Sequence, residues 1–458
     1  MAGMNNWPWR VWAERTPFAV ALKSRGTAWC WRDLLQRIDS LAAGFIQQGV
    51  SEGADVVLRS KNSPDALLAY LALLQTGARL LPLNPQLPAS LCAELLPSLD
   101  VRFILDLSDS PPELAPYALE LRHAGSGTTT AAWHPERLAT LTLTSGSSGL
   151  PKAAAHSARA HLASAAGVLG LLPFSPGDSW LLSLPLFHVS GQGIIWRWLS
   201  AGATLRVLAD GESLDAALDN CSHASLVPTQ LWRLLQQPQR PEKLQDVLLG
   251  GAHIPQELTE QAERAGIRCW CGYGMTETAS TVTAKRADGS RGVGHALAGK
   301  EVMLQNDEVL IRTPSLAAGY WKSGALTPLT DAEGWFHTRD RGEWQGDELH
   351  IAGRLDNLFF SAGEGIQPED IERVLQSHPQ VDRAFVLPVK DDEFGQRPVA
   401  LVDAHPGATF EHLAEWLQDK LARFQLPVRY YALPQEVAQG GIKISRQQLK
   451  LWLEKQPV

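Results

Sequence analysis

Cysteine is scarce in this chain. Five residues in 458 (Cys30, Cys92, Cys221, Cys269 and Cys271) are odd in number and scattered. That excludes a disulfide scaffold and fits a reducing compartment, so a cytoplasmic location is expected. Cys269 and Cys271 lie two apart in an apolar run, which places both on one face of a strand as small buried hydrophobes. No Cys/His cluster accompanies them, so a metal site is not expected there. Long hydrophobic runs are missing too. No apolar stretch reaches the roughly 18 residues that span a bilayer, and residues 1–10 do not have the apolar core of a signal peptide. Nor is there a block of positive charge. The formal net charge is −8, which argues against nucleic-acid or membrane-surface binding. Internal repeats and low-complexity tracts are absent.

What is present is a globular composition, 45% hydrophobic and 20% charged. Cores stop growing at about 250–300 residues, so two or more domains are expected. Asp65 to Gln75 has helical length and periodicity, stopped by Gly77. Strand candidates follow at Leu80–Leu83, Ala139–Thr144, Ser179–Leu184, His223–Val227, Asp246–Leu249 and Ile267–Cys271, each ending in Gly, Pro or Ser. Strands alternating with helices predict an α/β fold with parallel-rich sheets, whose ligands bind beyond the strand C-terminal ends. After about residue 300 hairpin signals take over: Val302–Leu304 with Glu308–Ile311, and Trp335–Trp344 with Glu348–Ala352. These predict a small β subdomain. A boundary is expected at Asp356, giving domains 1–355 and 356–458, the second an α+β domain with Pro368–Gln376, Ala384–Val389 and His412–Phe424 as elements. The sixteen tryptophans read as packing.

The segment richest in chemistry is Leu141–Lys152, LTLTSGSSGLPK. A strand runs into a Ser/Thr/Gly loop closed by Pro and Lys. Glycines let backbone N–H groups approach a polyanion, hydroxyls add donors, and Lys152 adds charge. The plain alternative is a flexible surface turn. The loop lacks the G-x-x-x-x-G-K-[ST] fingerprint. Gly294–Lys300 (GHALAGK) imitates it, but Glu301 stands where the magnesium-binding hydroxyl belongs.

Thr144-Ser145-Gly146-Ser147-Ser148-Gly149-Leu150-Pro151-Lys152 resembles the phosphate loop of the acyl-adenylate-forming superfamily. Tyr273-Gly274-Met275-Thr276-Glu277, Gly334–Asp340, Gly353-Arg354-Leu355-Asp356, Gly363–Glu372 and Gly441–Arg446 resemble its later motifs in the right order. Four stretches, 183–193, 225–235, 353–370 and 440–450, resemble the branch that activates o-succinylbenzoate, an aromatic keto-diacid, in menaquinone biosynthesis. Three departures stand out: Ser148 for a common Thr, Ala153 for Gly, and Arg339 for the Gly before Asp340. The last two remove backbone freedom.

The resemblance implies an AMP-forming acid–thiol ligase using ATP, Mg2+ and coenzyme A as cofactors or co-substrates. Thr144, Ser145, Gly146, Ser147, Ser148, Gly149 and Lys152 would cover the β and γ phosphates. Thr276 would donate to the α-phosphate and Glu277 would hold Mg2+. Tyr273 would lie on the adenine, with Gly251 and Ala252 allowing close approach. Asp340, supported by Arg354, would accept the ribose hydroxyls. Lys443 would bridge the carboxylate and the α-phosphate, Asp356 would be the hinge, and His188 would gate the site. For the acid, Ser190, Gln192 and Arg197 are expected contacts. Arg197 would face the carboxylate that does not react, or else be an exposed helix arginine. The rival readings are another acid substrate, loading of a carrier protein, and a non-catalytic nucleotide-binding module. Partners are small molecules, with no nucleic acid and no membrane insertion; homo-oligomerisation stays open.

Overall fold

The computed structural model describes residues 4–108, 117–125, 130–144, 150–209, 211–250, 254–290, 292–361, 364–405, 407–438 and 444–456. Residues 1–146, 150–301 and 312–336 form one compact unit, and residues 147–149, 302–311 and 337–458 form a second.

The first unit is built on two large sheets. Its local signals are strong. In the helix Pro64–Gln75, Ser63 accepts from the Ala66 N–H and Pro64 opens the first turn, both favoured at a helix start. Gly77 follows at φ 81°. The helix is apolar nearly all round because it is buried on every side. One sheet has nine strands, in the order His295–Ala296, Ser280–Arg286, Arg268–Met275, Asp246–Leu249, His223–Leu226, Ser179–Leu181, Thr204–Arg206, Val20–Ser24 and Thr27–Cys30. The strands from Arg268–Met275 to Val20–Ser24 pair in parallel, and antiparallel pairs finish both sides. The other sheet has eight strands, with Asp55–Arg59, Arg79–Leu83, Phe103–Asp106 and Leu138–Thr144 joined in parallel. Buried Trp9, Trp31, Trp180, Trp196 and Trp198 belong to the largest core cluster, and Trp31 stacks on Trp198 at 5.2 Å between ring centroids. Cys269 and Cys271 are both buried, as their spacing predicts.

The second unit holds a four-stranded sheet whose hairpin turns at Asn306 and Asp307, at φ 51° and 63°. It also holds a three-stranded sheet, Val381–Asp391, Gly395–Ala404 and Arg429–Ala432. The helices Pro368–Gln376 and Phe410–Gln418 contribute Ile371, Leu375, Leu413 and Leu417 to the same core as Val386, Ala400 and Val402 of that sheet.

Some element ends differ from expectation. The strand from Ser179 stops at Leu181, where the chain turns towards Pro185. The strand expected to end at Cys271 runs to Met275, because Ser280–Arg286 returns along it as far as Met275↔Ser280. The His412–Phe424 segment resolves into the helix Phe410–Gln418, capped by Thr409, and a 3-10 turn Arg423–Gln425. Among the described residues, no helix is long and apolar enough to cross a membrane.

Candidate active site

The Ser/Gly loop leaves and re-enters one antiparallel pair. Leu138–Thr144 and Lys152–Ser157 are hydrogen-bonded with Thr144 directly opposite Lys152. Ser145–Gly149 themselves lie outside the described residues. The exposed Lys152 amine sits 4.9 Å from the centroid of the Tyr320 ring. The hydroxyl of Tyr320 donates to Glu277 Oε1 at 2.8 Å. One tyrosine therefore joins the cation that closes the loop to the carboxylate expected to hold magnesium. Tyr320 carries no local sequence signal. Its strand, Gly319–Lys322, reaches this place only by pairing with Lys152–Ser157.

Glu277 lies on a constrained turn. The strand Arg268–Met275 presents half-buried Tyr273 and passes into the 3-10 turn Thr276–Thr278. The Met275 N–H donates to the Thr278 hydroxyl at 3.2 Å, and that hydroxyl lies 2.9 Å from the Ser280 carbonyl. Ala279 and Ser280 then adopt φ 52° and 99°. Such conformations cost about 1–3 kcal/mol each in non-glycine residues and cluster at functional sites. Ser164 holds the turn by donating to the Ala279 carbonyl at 2.6 Å. Gly274 has no substitute here, since a Cβ would come 1.9 Å from the Ser280 carbonyl oxygen. His156 is wholly buried near the Thr276 and Glu277 backbones, and burial pushes it down to about 4. It is therefore a neutral imidazole, 5.1 Å from His161, which stacks on Trp196.

His188 stands at the N-terminus of the helix Val189–Ala201, half-buried, its pKa lowered by burial. Ser190 is half-buried in the first turn. Gln192 is fully buried, and its amide nitrogen donates to Thr142 Oγ1 and to the Leu186 carbonyl, both at 3.1 Å. That amide is spent on joining the helix to the strand Leu138–Thr144. Arg197 is no exposed helix arginine: it is 2% exposed. Its Nη1 donates to Ser225 Oγ at 3.2 Å, and its guanidinium carbon lies 4.8 Å from the Trp180 ring centroid. Burial pushes it down to about 9, so it stays charged at neutral pH. Among the described residues it forms no ion pair.

In the second unit, Asp340 and Arg354 are direct cross-strand neighbours. Arg354 Nη1 donates to Asp340 Oδ1 at 3.1 Å and to the Thr338 carbonyl at 3.0 Å. Asp340 is 7% exposed. Asp356 takes Arg354 Nη2 on one oxygen and Arg339 on the other, each at 3.2 Å. Arg339 adopts φ 62°, so it holds the left-handed geometry that glycine takes most readily. Gly353, at φ 149°, takes a backbone conformation that a residue with a Cβ rarely adopts. Gly251, Ala252 and Lys443 lie outside the described residues. Just beyond that last segment, Arg446 of the helix Arg446–Leu453 is anchored to Glu372 and to the Val386 carbonyl.

These groups suit a reaction between anions: a lysine and hydroxyls at a loop, one carboxylate on a stiff turn, and a buried guanidinium with no acid paired to it among the described residues. Comparison with known proteins agrees. The model of the AMP-binding enzyme family matches residues 9–321, and that of the AMP-binding enzyme C-terminal domain matches 370–438. The 2-succinylbenzoate–CoA ligase of Salmonella typhimurium is 57% identical over 448 residues, 98% of both chains, and that of Escherichia coli K12 is 55% identical over 99% of both. Among solved structures, an Escherichia coli MenE with bound OSB-AMS superposes with a TM-score of 0.93 at 54% identity, covering 100% of both chains. The O-succinylbenzoate coenzyme A synthetase of Bacillus subtilis in complex with ATP and magnesium ion gives 0.88 at 25% identity, covering 97% of this chain and 99% of that one. From its Thr-Glu turn to its near end-to-end relatives, the chain belongs to the AMP-binding enzyme family.

Proposed function

We propose that this chain is an AMP-forming ligase that joins o-succinylbenzoate to coenzyme A, as a step of menaquinone biosynthesis in the cytoplasm. In the first half-reaction a carboxylate oxygen attacks the α-phosphorus of ATP and pyrophosphate leaves. In the second the coenzyme A thiol attacks the acyl carbonyl and AMP leaves. Both steps bring negative groups together, so fixed donors and cations must meet the charge that builds up. The observation that carries the substrate assignment is Arg197, a fully buried cation with no acidic partner among the described residues. A diacid supplies that partner with the carboxylate it does not react through.

Thr144–Gly149 and Lys152 hold the β and γ phosphates, and Thr276 meets the α-phosphate. Mg2+ comes with the nucleotide. It usually keeps one or two carboxylates and fills its sphere with phosphate oxygens and water. Glu277 fits that pattern, since among the described residues no cluster of three His, Cys, Asp or Glu could hold a metal by itself. Tyr273 lies on the adenine with Gly251 and Ala252 close by, and Asp340 with Arg354 takes the ribose. His188 gates the acid site and Ser190 contacts the acid. Gln192, its amide already bonded, is a positioning residue. Lys443 bridges the two anions in adenylation, and residues 356–458 turn about Asp356 between the steps.

The test is pyrophosphate release across a panel of acids. O-succinylbenzoate should be turned over well, and benzoate, succinate and fatty acids poorly. Equal turnover of benzoate would leave the family and remove this substrate. Arg197→Ala should raise the KM for the diacid far more than that for ATP, by the roughly 1.5–3 kcal/mol of a charge-assisted contact.

A further inference from the structure

Arg197 is not the only buried cation of the first unit. Lys300, last residue of the stretch that imitates a phosphate loop, is 7% exposed. Its Nζ donates to Ser315 Oγ at 2.9 Å, and Ser315 is itself fully buried. Among the described residues, neither Lys300 nor Arg197 forms an ion pair. Burial, and after it repulsion from Arg197, pushes Lys300 down to about 7. Lys300 and Arg197 are thus buried near one another, an arrangement that costs stability when both are charged unless an anion joins them.

The local packing keeps room at both cations. A Cβ on Gly193 would come 2.8 Å from Arg197 Nη2 and 3.4 Å from Ser280 Oγ. A Cβ on Gly167 would come 3.1 Å from Lys300 Cε. Gly167 and Gly193 lie on the helices Ala158–Leu171 and Val189–Ala201, which pack together. Three hydroxyls complete the group: Ser225 on Arg197, Ser315 on Lys300, and Ser280 from the strained turn after Glu277. Titratable groups on the neighbouring elements include His161, neutral and stacked on Trp196, His188 at the start of the Arg197 helix, Glu277 before Ser280, His295, and Glu301, which is paired with Arg312.

We propose that Lys300 is the second cation of the acid site. With Arg197 it holds the carboxylate that is not adenylated, and so sets the preference for a diacid over a monoacid. The ligand's identity rests on the ligase reading given above. Two cations and hydroxyls without an acid form the complement of a carboxylate. Its arrival raises the affinity of Lys300 for a proton, so binding near pH 8 takes up a proton from solution.

The experiment is calorimetric titration of the full-length protein with o-succinylbenzoate near pH 8, in two buffers of different ionisation enthalpy. Wild type should take up a substantial fraction of a proton, and Lys300→Met none. In steady state Lys300→Met should raise the diacid KM by about 10–100-fold with the ATP KM unchanged, the loss expected for a contact to a charged group. Lys300→Arg should restore most of it. A diacid blocked as an ester at its unreactive carboxylate should bind both proteins equally weakly. Absence of proton uptake by wild type overturns the proposal without any variant. So does a wild-type diacid KM in Lys300→Met. If wild type neither binds nor activates the diacid, the substrate reading itself has failed.

Discussion

In the proposed reaction Glu277 meets a magnesium-bound triphosphate with one carboxylate, and its orientation decides whether it can. The Tyr320 hydroxyl donates to Oε1 and so fixes how the carboxylate is turned. The same ring lies under the Lys152 amine, a contact worth about 0.5–1 kcal/mol at an exposed site. Tyr320→Phe keeps the ring and removes the hydroxyl. It should raise the KM for MgATP by about 3–10-fold, the equivalent of one lost hydrogen bond, and leave the diacid KM alone. Steady-state kinetics with each substrate varied in turn checks this. A change confined to the acid would put Tyr320 outside the nucleotide site.

At the scale of elements, stiffness is concentrated where chemistry is proposed. The turn from Met275 to Ser280 holds two left-handed residues in place with Ser164, Thr278 and Gly274. The strand Phe336–Gln345 holds a third, Arg339, just before the proposed ribose-binding Asp340. Glycine would relieve that position. Here arginine bears about 1–2 kcal/mol of strain and gains Asp356 as a partner. That ion pair is half-exposed, so it contributes no more than about 1 kcal/mol. Glycine would also lower stability by freeing the unfolded chain. Arg339→Gly should therefore change folding stability by less than about 1 kcal/mol. It should speed thioester formation from pre-made acyl-AMP by up to about fivefold, the rate equivalent of the lost pair, because the proposed hinge residue is less tethered. Urea unfolding and single-turnover assays measure the two effects. An unchanged ratio of the half-reactions would show that the Arg339–Asp356 pair has no part in the hinge.

For the whole molecule, two behaviours follow. The first is alternation between half-reactions. Lys443→Ala should lose adenylation by roughly 10²–10³, as for removal of one transition-state donor, and still convert acyl-AMP and coenzyme A to the thioester. Asp356→Pro fixes φ near −65° and removes an N–H; it should keep pyrophosphate release and lose thioester formation. Equal loss of both steps in both variants, with folding intact by circular dichroism, would contradict rotation about Asp356. The second is acid sensitivity. His156 is held at about 4 by burial, whereas in the unfolded chain it titrates near 6.5. Above that value both states are neutral and its contribution is complete. As pH falls towards 4 the unfolded chain takes up the proton first, and stability is lost, by about 2 kcal/mol at pH 5. Glu372, pushed up to about 7 by burial, acts in the opposite sense over the same window. The readout is therefore a difference: between pH 7 and 5 the urea midpoint of His156→Gln should fall less than that of wild type. Parallel slopes would mean that His156 is not buried as a neutral ring.

The sequence alone determined whatever depends on near neighbours. Helical periodicity and the stop at Gly77 marked the helix Pro64–Gln75, and turn residues marked both hairpins of the four-stranded sheet. Unbroken apolar runs marked the parallel strands. Contiguous motifs marked the Thr144–Lys152 loop and the Thr276-Glu277 turn, because backbone donors and hydroxyls for phosphate must be close in the chain to be close in space. Tertiary structure alone decided which distant side chains meet. Tyr320 reaches Glu277 across 43 residues of sequence by strand pairing. Gln192, expected at the substrate, is bonded to Thr142. Arg197 could have been an exposed helix arginine, and Lys300 belonged to a motif that the sequence gives reason to discard. Burial is what makes both of them candidates for the acid site. A charge is cheap in water and costly inside, and no local pattern records which side of that boundary a residue will occupy.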